Sequence, residues 1–273
     1  MPSAELLDHD VVDLFHNIFE TTTEPVLVVN PSRTEFKGLI TAAIEFDEEL
    51  PELRVLTDEQ TPKDIFDDFV TAGHAADLIA EGRLSPRSTE DVARSSLLIT
   101  AEQAIPLVEV EGDVTGFQSD DPELVERMRT VFSGEWEDAD EVTLRTPPLS
   151  KVRTTMREDI GEDAADDFDQ ILDAVETVDS DNELDEVTIC LLVAARNEVL
   201  LYDISKWGED ISLASKATFS RTKTRLEDNG VIDTEKVPIE VGRPRLRLRF
   251  ADESLQDTSL DEMLSEVRTQ LEA

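Results

Sequence analysis

The stretch that decides the fold is Ser215-Lys216-Ala217-Thr218-Phe219-Ser220-Arg221, continued through Arg225 and closed by Leu226-Glu227-Asp228-Asn229-Gly230-Val231-Ile232. Ser215 is a helix-capping residue, because its hydroxyl can accept from an amide that the first turn leaves without a partner. Phe219, Thr222 and Leu226 recur at intervals of three and four, which puts them on one inward face. Asn229-Gly230 supplies the left-handed stop. Val231-Ile232 opens an extended segment predicted to run to Val241, with Gly242-Arg243-Pro244 as the turn and Arg245 to Phe250 as the returning strand. In that strand Arg245, Arg247 and Arg249 alternate with Leu246, Leu248 and Phe250. A side-chain period of two sends the arginines to one face and the apolar groups to the core.

Working upstream, Leu184, Val187, Leu191 and Ala195 mark one helix, and Leu200, Leu201, Ile204 and Trp207 a second, with a turn from Gly208 to Leu213. Trp207 and Phe219 read as core. Three helices and a two-stranded hairpin in this order make a winged helix-turn-helix over residues 184–250. Its charge agrees. From Ser212 to Arg249 there are nine basic residues against five acidic ones, a local net of +4 in a chain whose net charge is -39. A reversal of sign inside an acid-covered protein points to an anionic partner.

A helix fits the DNA major groove with its N-terminal residues at the base edges. Ser215, Lys216, Thr218 and Ser220 lie in or beside that first turn and offer short donors and acceptors. The positive end of the helix can meet a phosphate. Arg221 and Arg225 are four apart on one face, Lys223 lies between them, and Arg245 and Arg247 line the hairpin. Arg243, beside Pro244 at the tip, suits a narrow minor groove. These ten residues are the candidate contacts to double-stranded DNA. Two rival readings stand beside this one. A winged helix that binds protein, as an adaptor to the transcription machinery, predicts a basic face neutralised by the chain's own acid. An enzyme predicts a deep polar pocket in the N-terminal part.

That N-terminal part, residues 1–145, reads as an α/β domain. Ser3 is a candidate cap for a first helix carrying Leu7, Val11, Leu14, Phe15 and Ile18. Pro25 to Asn30 and Leu53 to Thr57 are short apolar strands around a helix from Thr34 to Phe46. Thr61-Pro62 starts another helix. Ser96 to Thr100, Ile105 to Val110 and Val114 to Phe117 are three more strands, and Pro122 opens a helix with Leu124, Val125, Met128 and Phe132. Strands alternating with helices imply a sheet with both faces covered. Residues 146–183 form a helical connector ending in an acidic linker, Val178 to Glu183. Residues 251–273 form an amphipathic helix whose stripe is Leu260, Met263, Leu264, Val267 and Leu271. Ser259 and Glu262 give it a capping-box pattern. The stripe docks on its own chain or pairs with a second copy.

The chain has 64 acidic residues, 18 Arg and 7 Lys among 273. The acid is spread over helix faces and is not gathered in a tail. A polycation-binding surface would need a patch. A globular protein adapted to molar salt fits this distribution best, since the screening length there falls to about 3 Å and like charges hardly repel. No run of 18 apolar residues and no signal-like N-terminus is present, so a cytoplasmic protein is expected. The one cysteine, Cys190, excludes an internal disulfide framework and reads as buried filler. Neither GxxxxGK[ST] nor GxGxxG occurs. His9 and His16 have no companions to complete a zinc set. No catalytic residue, metal site or cofactor is expected.

The quoted segment, Ser215 to Arg221 followed by Leu226 to Ile232, resembles the recognition-helix signature of prokaryotic winged-helix transcription regulators, with Lys223 as one departure where relatives carry an apolar residue. Ser96 to Thr100, the strands through Gly116, Met128 to Phe132 and Trp136 resemble in layout the phospholipase-D-like sensor module of archaeal TrmB-type sugar-responsive regulators. The catalytic His-x-Lys-x4-Asp motif of that fold is missing. The whole arrangement resembles the haloarchaeal TbsP-like regulators. The resemblance implies DNA binding as a two-fold dimer, a link to central sugar metabolism, and an N-terminal domain that senses an effector or contacts a second regulator.

Overall fold

The computed structural model describes residues 10–90, 92–111, 113–176, 184–238, 243–256 and 258–272. The chain divides into two compact units, Met1–Leu144 and Arg145–Ala273.

The first unit runs α1 (Val11–Thr21), β1 (Val26–Val29), α2 (Arg33–Glu45), β2 (Leu53–Thr57), α3 (Thr61–Ile65), α4 (Phe69–Ala80), β3 (Leu84–Ser88), β4 (Leu97–Ile99), β5 (Ala104–Val110), β6 (Asp113–Gly116), α5 (Pro122–Asp138) and β7 (Asp140–Glu141). The strands form one mixed sheet in the order β6-β5-β4-β1-β2-β3-β7. β1, β2 and β3 are parallel, and every other pairing is antiparallel. Period two sorts the core into two layers. Val26, Val28, Leu53, Val55, Leu84 and Leu98 pack with Leu14, Phe15, Phe36 and Leu39 from the helices on one side. Leu27, Val29, Leu56, Leu97 and Ile99 pack with Trp136 of α5 on the other. Trp136 donates its indole N–H to the Ser85 carbonyl at 3.0 Å, and the Arg54 and Arg87 guanidinium groups stand 4.9 Å and 4.2 Å from its ring centroid.

Several expectations shift here. Asp10 caps α1, accepting from the Val12 amide at 2.8 Å; Ser3, Leu7 and His9 lie outside the described residues. The helix begun at Thr61-Pro62 is two helices, broken at Phe66 where a second cap, Asp68, accepts from the Thr71 amide. β3 was not foreseen, because Pro86 sits inside it. A proline removes a ladder donor and is tolerated near a sheet edge. β3 meets that condition, since its outer neighbour β7 pairs with it over only Arg87 and Ser88.

The second unit runs α6 (Leu149–Asp159), α7 (Glu162–Glu176), α8 (Glu186–Arg196), α9 (Leu201–Asp210), α10 (Lys216–Asp228), β8 (Ile232–Val237), β9 (Arg245–Phe250), a 3-10 turn (Glu253–Gln256) and α11 (Leu260–Glu272). Most of the segment read as a connector is α6 and α7, whose Val152, Met156, Phe168, Ile171 and Leu172 are buried within this unit. Trp207 of α9 donates its indole N–H to the Thr155 hydroxyl of α6 at 3.0 Å. The linker Val178 to Glu183 lies outside the described residues. α8 is the central helix, with every residue from Val187 to Ala195 buried. Cys190 lies within it, and burial pushes its thiol far up, so it is unreactive filler. The stripe of α11 docks on its own chain: Leu260, Met263, Leu264 and Val267 are buried, and the helix packs on α7.

One group in the first unit couples the fold to pH. Glu35 completes a capping box at the start of α2, accepting from the Ser32 amide at 2.7 Å, yet it is 1% exposed. Burial raises its carboxyl above the usual range, more than the bond from the Ser32 amide lowers it. A raised acid means the folded state holds the proton more tightly, so this contribution to stability falls as pH rises through the raised value. Glu35→Gln keeps the cap's acceptor and removes the titration. Its melting temperature relative to wild type should therefore rise from mildly acidic to neutral pH; a difference that does not change with pH would show that the carboxyl is not desolvated.

Candidate nucleic-acid interface

α10 is placed by three local features. Ser215 caps it, its hydroxyl accepting from the Thr218 amide at 3.1 Å. Gly208 of α9 lets the ring of Phe219 pack directly on backbone, since any Cβ at that position would collide with the ring. Gly230, at φ +73°, ends the helix in the left-handed conformation, with the Val231 amide donating back to the Leu226 carbonyl at 2.9 Å. The expected stop at Asn229-Gly230 is therefore present. Between α9 and α10 the chain turns through Ser212, a non-glycine residue at φ +68°. Phe219, Thr222 and Leu226 face inward as the spacing requires. The outer face then carries Ser215, Lys216, Ser220, Arg221 and Arg225, all exposed, with Thr218 half-buried.

β8 and β9 pair antiparallel from Ile232 opposite Phe250 to Val237 opposite Arg245. Leu248 and Phe250 are buried, and the arginines share the other face as period two demands. The hairpin is tied to the helices where Leu200 bridges to Arg247 and the Leu248 amide donates to the Val199 carbonyl at 3.0 Å. Val241 and Gly242 lie outside the described residues. Arg243 is exposed beside them.

The electrostatics of this face could not be read from composition. Lys216 holds Glu209 at 2.6 Å, and the pairing raises the ammonium and lowers the carboxyl. Lys223 holds Glu227 at 2.6 Å and is largely covered; Glu227 in turn accepts from the Thr234 hydroxyl of β8 at 3.0 Å. Arg225 donates to the Thr188 hydroxyl at 2.9 Å and reaches Asp185, the α8 cap, at 3.4 Å. Arg247 lies between Glu198 at 3.5 Å and Glu235 at 4.0 Å. Arg249 meets Asp233 at 3.2 Å, and the Thr234 amide and Arg249 together lower that carboxyl. Arg221 donates to the Thr218 hydroxyl at 3.3 Å, with no carboxylate in ion-pair range among the described residues. Arg245 lies over the ring of Tyr202, its guanidinium carbon 3.5 Å from the centroid. The structure thus gathers the ten predicted residues on α10 and the wing; Lys223 is largely covered by its pair with Glu227, and Arg225, still exposed, also bonds to Thr188 of α8. Tyr202 and the acidic partners were missed. The one signal available was the spacing of Asp233 and Glu235, which matches that of Arg249 and Arg247 once the register is known.

Among the described residues no His, Cys, Asp and Glu group is disposed to hold a metal, and no helix is long and apolar enough to cross a membrane.

Two family models match the chain. The N-terminal model of the TbsP-like transcriptional regulators matches residues 3–147, and their C-terminal helix-turn-helix model matches residues 148–268. No curated protein matches. Among solved structures, TrmBL2, described as an archaeal chromatin protein with a novel mode of DNA binding, matches 51% of this chain at 14% identity and a TM-score of 0.36. The match spans about half of TrmBL2, 53% of its chain, and is too loose to bear on fold or function. With an N-terminal mixed α/β unit followed by a capped helix-turn-helix and its wing, and with the two family models matching residues 3–147 and 148–268, the chain belongs to the TbsP-like transcriptional regulators, which act through a DNA-binding helix-turn-helix domain.

Proposed function

We propose that the protein binds a specific DNA site as a two-fold dimer, with α10 in the major groove and the wing on the flanking backbone, and that residues 1–145 sense an effector or contact a second regulator. The observation that carries the reading is the outer face of α10, where Ser215, Lys216, Ser220 and Arg221 are exposed around a capped helix start. Arg221 is the base-reading candidate, because its guanidinium is not neutralised by a carboxylate among the described residues. Lys223 and Arg225 are assigned instead to holding α10 against β8 and α8. Ser215, Lys216, Thr218 and Ser220 serve base edges and phosphates at the helix start, and Arg243, Arg245 and Arg247 serve the wing. The link to central sugar metabolism rests on the family resemblance alone. Genome-wide immunoprecipitation of the tagged protein, with a shared motif sought in the peaks, tests site, targets and metabolic link together.

The acidic partners meet in part what the protein-binding alternative predicts, a basic face paired with the chain's own acid, but the pairs are weak. Lys216 and Glu209 are both about half exposed, and an exposed pair of this kind is worth roughly 0–1 kcal/mol. A phosphate can displace such a carboxylate at little cost. Arg221→Ala should weaken specific binding by roughly 1–3 kcal/mol and relax preference at one base position. Arg247→Ala, which already shares its charge with Glu198 and Glu235, should cost less and affect all sequences equally. Wild-type binding by both folded variants would remove α10 and the wing as the DNA reader.

The dimer follows from the two-fold symmetry of helix-turn-helix operators. The apolar stripe of α11 is docked within its own unit, so the stripe is not the dimer seam in this reading. Sedimentation of the full chain in molar KCl should give twice the monomer mass, 61 kDa against 30.5 kDa; a monomer both free and on operator DNA would sink the dimer.

Salt dependence should also be unusual. A chain of net charge -39 repels DNA over a Debye length, about 10 Å at 0.1 M and 3 Å at 1 M. Added salt screens that repulsion before it erodes the short contacts of Arg221, Arg243 and Arg245. Affinity for the operator should rise from low salt to a maximum in the molar range, read by titration of labelled DNA with circular dichroism at each point. A steady fall while the protein stays folded would show that ordinary counterion release dominates.

A further inference from the structure

Five cations of the DNA-facing surface are fixed in two different ways. Lys216, Arg225, Arg247 and Arg249 are each held by a carboxylate, to Glu209, Asp185, Glu198 with Glu235, and Asp233 respectively. Arg245 has no carboxylate in ion-pair range among the described residues and is held by a ring. Its guanidinium carbon stands 3.5 Å from the centroid of Tyr202, the one tyrosine in the sequence. The two modes differ in what they leave for a ligand. A carboxylate takes the edge of the guanidinium and cancels its charge. An aromatic ring takes the face, leaving the charge and the planar fork of N–H donors unspent. That fork is the group that binds a phosphate through two parallel hydrogen bonds.

The position is also informative. Arg245 pairs with Val237 at the end of the β8–β9 ladder nearest the tip of the hairpin. Tyr202 is the second residue of α9 and is 41% exposed, although it is a large aromatic side chain. Filling the core therefore does not account for it. α9 and β9 pack against each other, so the stack joins the wing to the helix that precedes the recognition helix.

We propose that Tyr202 is a positioning residue for DNA binding. It holds the Arg245 guanidinium flat and uncancelled so that its fork meets a backbone phosphate beside the groove that α10 enters. The inference rests on the DNA-binding reading above and adds the role of Tyr202 and the class of group, phosphate and not base, that Arg245 contacts. In a surface this rich in acid, a ring orders an arginine without giving it a counter-charge.

The test uses the full chain and two labelled duplexes, the operator and a scrambled sequence of equal composition, titrated across KCl on the high-salt side of the affinity maximum. Arg245→Ala should lower affinity for both duplexes by the same factor, roughly tenfold, as for loss of a charge-assisted hydrogen bond. It should also flatten the plot of log affinity against log salt by about 0.9, the worth of one phosphate contact. Tyr202→Ala should reproduce both changes, and the double variant should be no weaker than either single one. Tyr202→Phe, which keeps the ring, should retain wild-type affinity and slope. Tyr202→Leu keeps the bulk without the ring, and stands in for Tyr202→Ala if that variant melts early. Loss in the Arg245 variant with wild-type slope in Tyr202→Ala or Tyr202→Leu would overturn the positioning role. Loss confined to the operator would show that Arg245 reads a base. A wild-type chain that binds neither duplex would refute the DNA-binding reading itself, and the proposal with it.

Discussion

The recognition surface depends on one close contact, the ring of Phe219 against the bare backbone of Gly208. α9 and α10 approach closely there because one side contributes no side chain. With Phe219 fixed, the helix cannot rotate, since Thr222 and Leu226 follow it inward and every residue three or four places away takes a defined direction. Ser220 and Arg221 then face outward of necessity. The turn between the helices accepts a positive φ at Ser212, a conformation uncommon for a residue with a Cβ. That backbone cost is local, and the packing of Phe219, Trp207 and the buried run Val187 to Ala195 of α8 outweighs it.

Charge acts on this scaffold in two layers. The inner layer orients: Lys223, largely covered, to Glu227 to Thr234 ties α10 to β8, and Arg225, itself half exposed, adds a hydrogen bond to Thr188 of α8. The outer layer consists of exposed pairs such as Lys216 with Glu209 and Arg249 with Asp233. Pairs of the second kind contribute little to stability because solvent screens both partners. They do keep long cationic side chains near the positions from which they can exchange a carboxylate for a phosphate. A chain with 64 acidic residues can thus carry an anion-binding face on which several cations are paired at rest, while Arg221 and Arg245 have no carboxylate in ion-pair range among the described residues.

The helix-turn-helix was legible in the sequence because its information is local. A serine cap, inward residues at helical spacing, Asn229-Gly230 and an alternating arginine strand each have one dominant structural meaning, and they agree. The N-terminal sheet was legible as strands but not as a topology, since strand direction and order depend on pairings between distant residues. β3 was hidden by Pro86, a residue that argues against a strand unless the neighbouring strand is known to be short. The break between α3 and α4 was hidden because Ile65, Phe69, Ala72 and Ala76 keep helical spacing across it. At the interface, Lys223 and Arg225 are expected at DNA from their charge and from the spacing that puts Arg225 on the face of Arg221. Their partners, Glu227 with Thr234 and Asp185 with Thr188, become neighbours only once α10 is packed.

The same distinction explains why Tyr202 escaped notice. A single aromatic residue two positions into a helix carries no pattern, and its ring acquires meaning only when β9 places Arg245 over it. Sequence patterns report residues that repeat, because repetition is what burial along a helix or strand requires. A residue that orders one side chain for one ligand group has no need to repeat. At molar salt such residues matter more than the count of positive charges. Where long-range attraction is screened to about 3 Å, a cation contributes to binding only if it is already in place when the phosphate arrives, so the geometry that holds each guanidinium decides which of them binds.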